Sequence, residues 1–182
     1  EPIEVIVHAS NPDLEDTRAR TTLDEKVLEQ STGQDLAENL SVVSGVTVSK
    51  GTSDTSKPII RGQHERRLLV LFDGIRHEGQ KWGPDHATEV DPFSAGAISV
   101  IRGAAGARYG PDAMGGVILV EPPPLRTKAG VGGKVVTAFA TNGMRPYGAM
   151  RLDGVFARVP NLSFRGEGNY SRGASLQSPD YV

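Results

Sequence analysis

The chain has 182 residues and a formal net charge of −2, so its length suits one ordinary domain, or one domain and a piece of another. The near-neutral charge gives no reason to expect nucleic acid as a partner. The absence of cysteine excludes disulfides and thiolate metal sites, and 22 glycines with 12 prolines favour turns and short strands over a helical bundle.

The chain begins with a β-prone run, Ile3–Ala9, which is followed by polar sequence as far as Arg20. Such a strand can fold as an edge strand of its own domain. It can equally stay free to pair with the sheet edge of a partner.

Two helix starts are predicted next, because Thr22 with Glu25 and Ser31 with Gln34 have capping-box spacing. After the second start, Leu36 and Leu40 lie four residues apart and predict one narrow apolar stripe.

From residue 46 the pattern changes to short strands. We predict strands over 46–49, 58–62, 68–72, 98–102 and 117–120, with a glycine-rich irregular segment over 103–116. The longest apolar run, Leu68–Phe72, is far shorter than the about 20 residues of a membrane-spanning helix. Residues 31–121 are therefore expected to form one compact domain with a mixed sheet of about four short strands.

After Pro122–Pro124 the pattern changes again, to longer strands predicted over 134–141, 147–158 and 161–172. In the third, apolar or small residues alternate with charged or polar ones, which is typical of a membrane β-barrel with a wet lumen. A soluble antiparallel meander alternates in the same way. Since even small barrels need about eight strands, we expect the chain to be an excerpt of a larger protein.

Several segments, in this order, resemble the plug of TonB-dependent outer-membrane receptors. They are Asp35–Leu40 with Ser44–Val48 (the helix and "PGV" strand, with Ser44 where proline is usual), Ile60–Gly62 ("IRG"), Val70–Arg76 ("vlvDGvr"), Ile98–Gly103 ("IEVIRG", with Ser99 in place of the usual glutamate) and Ala107–Ile118 ("ALYGxxAxGGVINI"). Each motif alone is weak, but the ordered set is specific.

The resemblance implies an α+β fold, a small mixed-sheet plug domain followed by the first antiparallel strands of a large transmembrane β-barrel. We expect a TonB box and linker over residues 1–20, a plug domain over 21–125, and about three barrel strands over 126–182. The location would be the bacterial outer membrane, with a periplasmic N-terminus.

The resemblance also implies roles for individual residues. The TonB box, which pairs with a periplasmic energy-transducing protein of the TonB type, would be Ile3, Glu4, Val5, Ile6, Val7, His8 and Ala9. Arg61 and Arg102 would face carboxylates of the barrel wall, since a buried guanidinium requires such a partner. The alternative for either arginine is a solvated surface position.

The five glycines of the glycine-rich segment are expected to let the backbone turn sharply and pass close to a wall. They are Gly103, Gly106, Gly110, Gly115 and Gly116. Their spacing matches neither a dinucleotide-binding fingerprint nor a phosphate-binding loop.

The segment Trp82–Pro92 resembles the "PDHAxxVD" stretch of zinc-type receptors in the family. Asp85 and His86, with His77, would then supply part of a divalent-metal site on the outward face of the plug. Alternatively, Asp85 caps the following turn and His86 bonds the local backbone. The expected cargo is therefore zinc or another divalent metal, or else an iron siderophore or haem, and no resident cofactor is required.

An enzyme is not expected, because the sequence has no nucleophile elbow, no HExxH motif and no cysteine nucleophile. A soluble periplasmic binding or signalling module is the rival of a different class. The other expected contacts are those of a transporter: its own barrel, outer-membrane lipid and a small cargo.

Overall fold

A computed structural model of the chain describes residues 20–50, 56–78, 90–140, 145–157 and 159–172. The chain divides between Pro123 and Pro124 into two compact units, which are described separately. The strands of the first unit are β1 (Arg20–Asp24), β2 (Val46–Lys50), β3 (Ser56–Ile60), β4 (Leu68–Phe72), β5 (Ile75–His77), β6 (Ala97–Ile101) and β7 (Gly116–Glu121).

Five of these strands form one mixed sheet in the order β1-β6-β7-β4-β5, while β2 and β3 form a separate antiparallel pair. Strand β6 is antiparallel to both β1 and β7, and β7 is parallel to β4. The structure confirms the predicted mixed sheet. It adds two edge strands that the sequence patterns do not indicate, β1 and β5.

The main core lies between one face of the sheet and two short helices, α1 (Glu25–Gln30) and α2 (Leu36–Leu40). The predicted stripe is confirmed, because Leu36 and Leu40 are both buried there. The opposite face is covered by two 3-10 segments, Gly103–Tyr109 and Pro111–Ala113. No helix among the described residues is long and apolar enough to cross a membrane.

Both helix caps differ from the sequence-based prediction. The cap of α1 is Asp24, whose carboxylate accepts the amide of Val27 at 3.0 Å, while Thr22 is extended because β1 pairs with β6. Ser31 ends α1 instead of starting a helix. A turn through Gly33, at φ 86°, delays the start of the second helix to Leu36.

The true capping box belongs to Asp35 and Glu38, whose side chains each accept the other's backbone amide. The Ser56 hydroxyl also donates to Asp35, so this carboxylate joins α2 to the first residue of β3. Burial raises the pKa of Asp35, and the hydrogen bonds from Ser56 and Glu38 oppose that shift.

The second unit is a separate antiparallel sheet of three strands in the order β10-β9-β8, made of β8 (Gly130–Ala140), β9 (Arg145–Phe156) and β10 (Val159–Ser171). The three predicted long strands are confirmed, with bounds shifted by a few residues. Their separation from the first sheet is also confirmed, since no described strand runs through both.

The two faces of this second sheet have opposite character. One face exposes large apolar side chains on all three strands: Val131, Val135, Phe139, Met150, Leu152, Phe156, Leu162 and Tyr170. The other carries cross-strand charges. There Asp153 pairs with Arg165 at 2.5 Å and lies 3.5 Å from Arg151. The alternation predicted for the third strand is therefore present in the sheet as a whole.

Candidate functional site

The site built by the first unit lies where β6 of the five-stranded sheet and β3 of the two-stranded pair both end. Each of these strands is followed by an arginine and then a glycine with positive φ: Arg61 with Gly62 (φ 77°) and Arg102 with Gly103 (φ 71°). We call Arg61, Arg102 and the glycines beside them the arginine corner.

The two arginines reach toward each other's segments. Arg61 Nη1 lies 3.3 Å from the position that a Cβ atom would occupy on Gly103, and Arg102 Nη1 lies 3.9 Å from the same position on Gly45. The amide of Arg61 also donates to the carbonyl of Gly45 at 3.0 Å. Three segments distant in sequence therefore meet at this corner, and at Gly103 the absence of a side chain leaves room for the Arg61 guanidinium.

Arg102 is half-buried and bonded to its own unit. Its Nη2 donates to Thr21 Oγ1 at 2.6 Å, and its Nη1 donates to the carbonyl of Ser44. Its Nε is buried and has no hydrogen-bond partner within the part of the chain that the structure describes. Arg102 thus ties the end of β6 to the edge strand β1 and to the turn before β2.

Arg61 has a different environment. It is exposed, and its backbone has φ 49°, a value rarely adopted by residues other than glycine. Within the described ranges its side chain takes part in no ion pair, in contrast to the hydrogen-bonded guanidinium of Arg102. The sequence patterns treat Arg61 and Arg102 as equivalent, and the tertiary structure separates them.

A second polar group, on the opposite face of the sheet, is absent from the sequence-based prediction. Arg20 donates to Ser99 Oγ through Nε at 3.2 Å and Nη2 at 3.0 Å, and the same Nη2 lies 3.4 Å from Glu121 Oε2. Thr22 Oγ1 lies 2.8 Å from Ser99 Oγ. One sequence signal pointed here, namely the serine at position 99 where the resembled motif carries glutamate.

Of the three predicted metal ligands, only His77 lies within the described residues; Asp85 and His86 lie outside them. His77 is the last residue of β5, opposite Val70, and its ring meets that of Phe72 edge-on at 6.0 Å. Across the described ranges, no three His, Asp or Glu side chains form a group that could hold a metal ion. The proposed TonB box, Ile3–Ala9, also lies outside the described residues.

One known protein family matches most of the first unit, and the relatives of this chain agree with that match. Residues 12–117 match the model of the TonB-dependent receptor plug domain. A hemin receptor of Yersinia pestis is 36% identical over 86 residues, which cover 47% of this chain and 13% of that protein. The vitamin B12 transporter BtuB of Photobacterium profundum is 34% identical over 84 residues, covering 46% of this chain and 14% of that protein.

Solved structures agree in fold. The ferric enterobactin receptor of Pseudomonas aeruginosa superposes with a TM-score of 0.69 at 23% identity, over 87% of this chain and 25% of that one. The siderophore receptor PirA of Acinetobacter baumannii gives 0.67 at 22% identity, over 84% and 24%. The chain thus spans about a quarter or less of the proteins that it matches here.

Proposed function

We propose that this chain, which belongs to the family of TonB-dependent receptor plug domains, forms the gate and the first wall strands of an energy-coupled transporter. Its place is the bacterial outer membrane. The observation that supports the proposal most directly is the family match over residues 12–117, which covers nearly the whole first unit, including the arginine corner.

The two units suit different tasks in such a transporter. The first is a small domain with a packed core, able to fill a lumen as one body. The second has an apolar face suited to lipid and a charged face suited to a wet interior. Arg61 is the residue of the gate that we assign to a carboxylate of the wall, because its guanidinium is exposed.

Coupling to energy is assigned to the N-terminal segment Ile3–Ala9. Strand addition draws its affinity from main-chain hydrogen bonds, so a β-prone run joined by polar sequence to β1 suits pairing with a TonB-type partner. We propose no catalytic activity for the chain. The relatives that it matches are named as receptors and transporters.

The cargo is proposed from chemistry and from the relatives together. The hemin receptor and the vitamin B12 transporter match this chain with similar identity over similar lengths, so likeness in the plug does not select the cargo. We propose a scarce metal-bearing nutrient, with haem as the first candidate. A bare divalent metal held partly by Asp85 and His86 is the second.

Uptake by the full-length receptor tests this proposal. Cells lacking their own receptors for these nutrients, but carrying the full reading frame, should accumulate at least one of hemin, cyanocobalamin and zinc. Accumulation should stop when an uncoupler collapses the proton gradient. Accumulation that continues in uncoupled cells would reject energy-coupled transport by this protein.

Zinc titration into the purified full-length receptor tests the metal assignment. The His86→Ala receptor should bind zinc more weakly than the unaltered one, because an imidazole ligand is lost. Affinity should also be lower in acidic solution, since only the neutral imidazole binds metal.

The matched control for the titration is His64→Ala. His64 is exposed in the loop before β4, outside the predicted metal set, so its replacement should leave zinc affinity unchanged. Equal zinc affinities for the unaltered and His86→Ala receptors would make His86 a structural residue.

A further inference from the structure

The edge strand β1 is held to the sheet by two arginine side chains, one on each face. Because successive residues of a strand face opposite sides, Arg20 and Thr22 lie on one face, and Thr21 and Leu23 lie on the other. Leu23 is buried in the core, while Arg20 and Thr21 make the polar contacts described above. We call the contacts of Arg20 with Ser99 and Glu121 the Arg20 clamp, and the contact of Arg102 with Thr21 the Arg102 clamp.

We propose that these two clamps set how readily β1 separates from β6, so that breaking them releases β1 together with the chain that precedes it. The proposal rests on the proposed function, since the preceding chain carries the segment assigned to the TonB-type partner. A force applied to that segment would first act on the folded plug at the start of β1.

The position of β1 makes it separable. It is five residues long, it pairs with β6 alone in the sheet, and its other edge has no strand partner among the described residues. An edge strand is paired on one side only and has half the ladder hydrogen bonds of a central strand. Side-chain contacts therefore contribute a larger part of the free energy that keeps it in the sheet.

The Arg20 clamp reaches across two strands. Ser99 is fully buried on β6, and its oxygen accepts two N–H groups of Arg20. The same oxygen lies 2.8 Å from the hydroxyl of Thr22, which is also on β1, in a hydrogen bond for which either hydroxyl can be the donor. The ion pair with Glu121 on β7 is weaker, because the Glu121 side chain is 56% exposed and therefore screened by solvent.

The Arg102 clamp acts on the neighbouring residue from the other face. Its guanidinium holds Thr21 with one nitrogen and the Ser44 carbonyl with another, and its buried Nε contributes no bond within the described part of the chain. A carboxylate approaching this guanidinium would compete with the Thr21 hydroxyl, because a charged acceptor forms the stronger hydrogen bond.

Both clamps lie at the N-terminal start of the strand. The other end of β1 holds Leu23, which is buried in the core, and Asp24, which caps α1. A pull from residues 1–19 would therefore meet Arg20 and Thr21 first and open the strand from that end. Side-chain bonds that break one after another oppose a pull less than bonds that must break together.

The first test is hydrogen exchange measured by mass spectrometry on the full-length receptor, comparing the peptides that cover β1 and β7. Exchange over residues 20–24 should rise about tenfold in Thr21→Val, which loses one charge-assisted bond, and at least as much in Arg20→Gln, which loses the contacts with Ser99 and Glu121. The double variant should exchange faster than either. Thr21→Val keeps the side-chain shape and leaves Arg102 in place.

One control separates the clamps from general loosening. Thr47→Val removes an exposed threonine of β2 and should not change exchange in β1. Unchanged exchange over 20–24 in the clamp variants would overturn the proposal. An equal rise over 116–121 would overturn it as well, because the whole unit would then be opening.

The second test locks the strand. Thr22 and Ser99 are direct cross-strand neighbours whose hydroxyls touch, and the chain has no other cysteine, so a Thr22→Cys/Ser99→Cys pair can form one disulfide. The oxidised receptor should bind hemin but not take it up, and reductant should restore uptake. Thr47→Cys/Ile59→Cys, which joins the already connected strands β2 and β3, should transport in both redox states.

Uptake by the oxidised β1–β6 lock at the unaltered rate would show that β1 does not need to separate. Loss of uptake in both locks would show that the block is not specific to β1. Failure of the unaltered receptor to take up hemin would count against the proposed cargo, while the exchange experiment would still decide on the clamps.

Discussion

Replacing Val5 with proline should abolish energised uptake of hemin while leaving hemin binding at the cell surface intact. Proline removes a backbone N–H and holds φ near −65°, so strand pairing through residues 3–9 loses a ladder bond and the extended geometry around it. Uptake should fall to the level of uncoupled cells. Binding should not change, because cargo meets the receptor from the opposite side of the membrane.

The measurement is accumulation of labelled hemin in energised and uncoupled cells, with surface binding measured in the cold. Val5→Thr is the matched control, since it keeps a β-branched side chain and the backbone donor. We expect it to transport at nearly the unaltered rate. Normal uptake by the proline variant would remove residues 3–9 as the coupling segment.

Replacing Gly116 with alanine should destabilise the first unit by about 3 kcal/mol, the combined cost of a strained backbone and an overpacked site. Gly116 has φ 149°, and a Cβ atom there would lie 2.9 Å from the carbonyl oxygen of Ile101 and 3.3 Å from Cδ1 of Ile60. The backbone oxygen belongs to the strand paired with β7, so it cannot move aside without breaking the sheet.

Gly74→Ala is the control that isolates backbone strain. Gly74 has φ 78°, and a Cβ atom there would meet nothing within 4 Å. Its replacement should cost about 1 kcal/mol, the strain of a left-handed residue alone. Pulse proteolysis of the full-length receptor in increasing urea measures both, through the midpoint at which the plug becomes cleavable. Equal midpoints for the two variants would contradict the crowding at Gly116.

The glycine-rich segment was expected to pass close to a wall, and the close neighbours found are within the plug itself. Gly106 approaches the carbonyl of Ala113, and Gly115 approaches Arg67 and Leu68. The requirement for glycine is visible in the sequence. The identity of the neighbour depends on which strands the fold places alongside, which no local pattern specifies.

Much of the first unit follows from local sequence. Strand β4 was predicted with its observed bounds because a run of five apolar residues, closed by Asp73-Gly74, leaves little choice of structure. The first strand was missed because Arg20–Asp24 carries a single large apolar residue, Leu23. Its extended conformation comes from pairing with β6, about eighty residues further along the chain.

By itself, the sequence determined the mixed α+β class, the change to long alternating strands after Pro124, and the place of arginine before glycine at two strand ends. These are local properties, set by side-chain periodicity and by the conformations that glycine and proline allow. Only the tertiary structure decided that Arg102 bonds Thr21 while Arg61 stays exposed, and that Arg20 meets Ser99. Those contacts join residues about eighty positions apart, so they exist only once the register between β1 and β6 has been set.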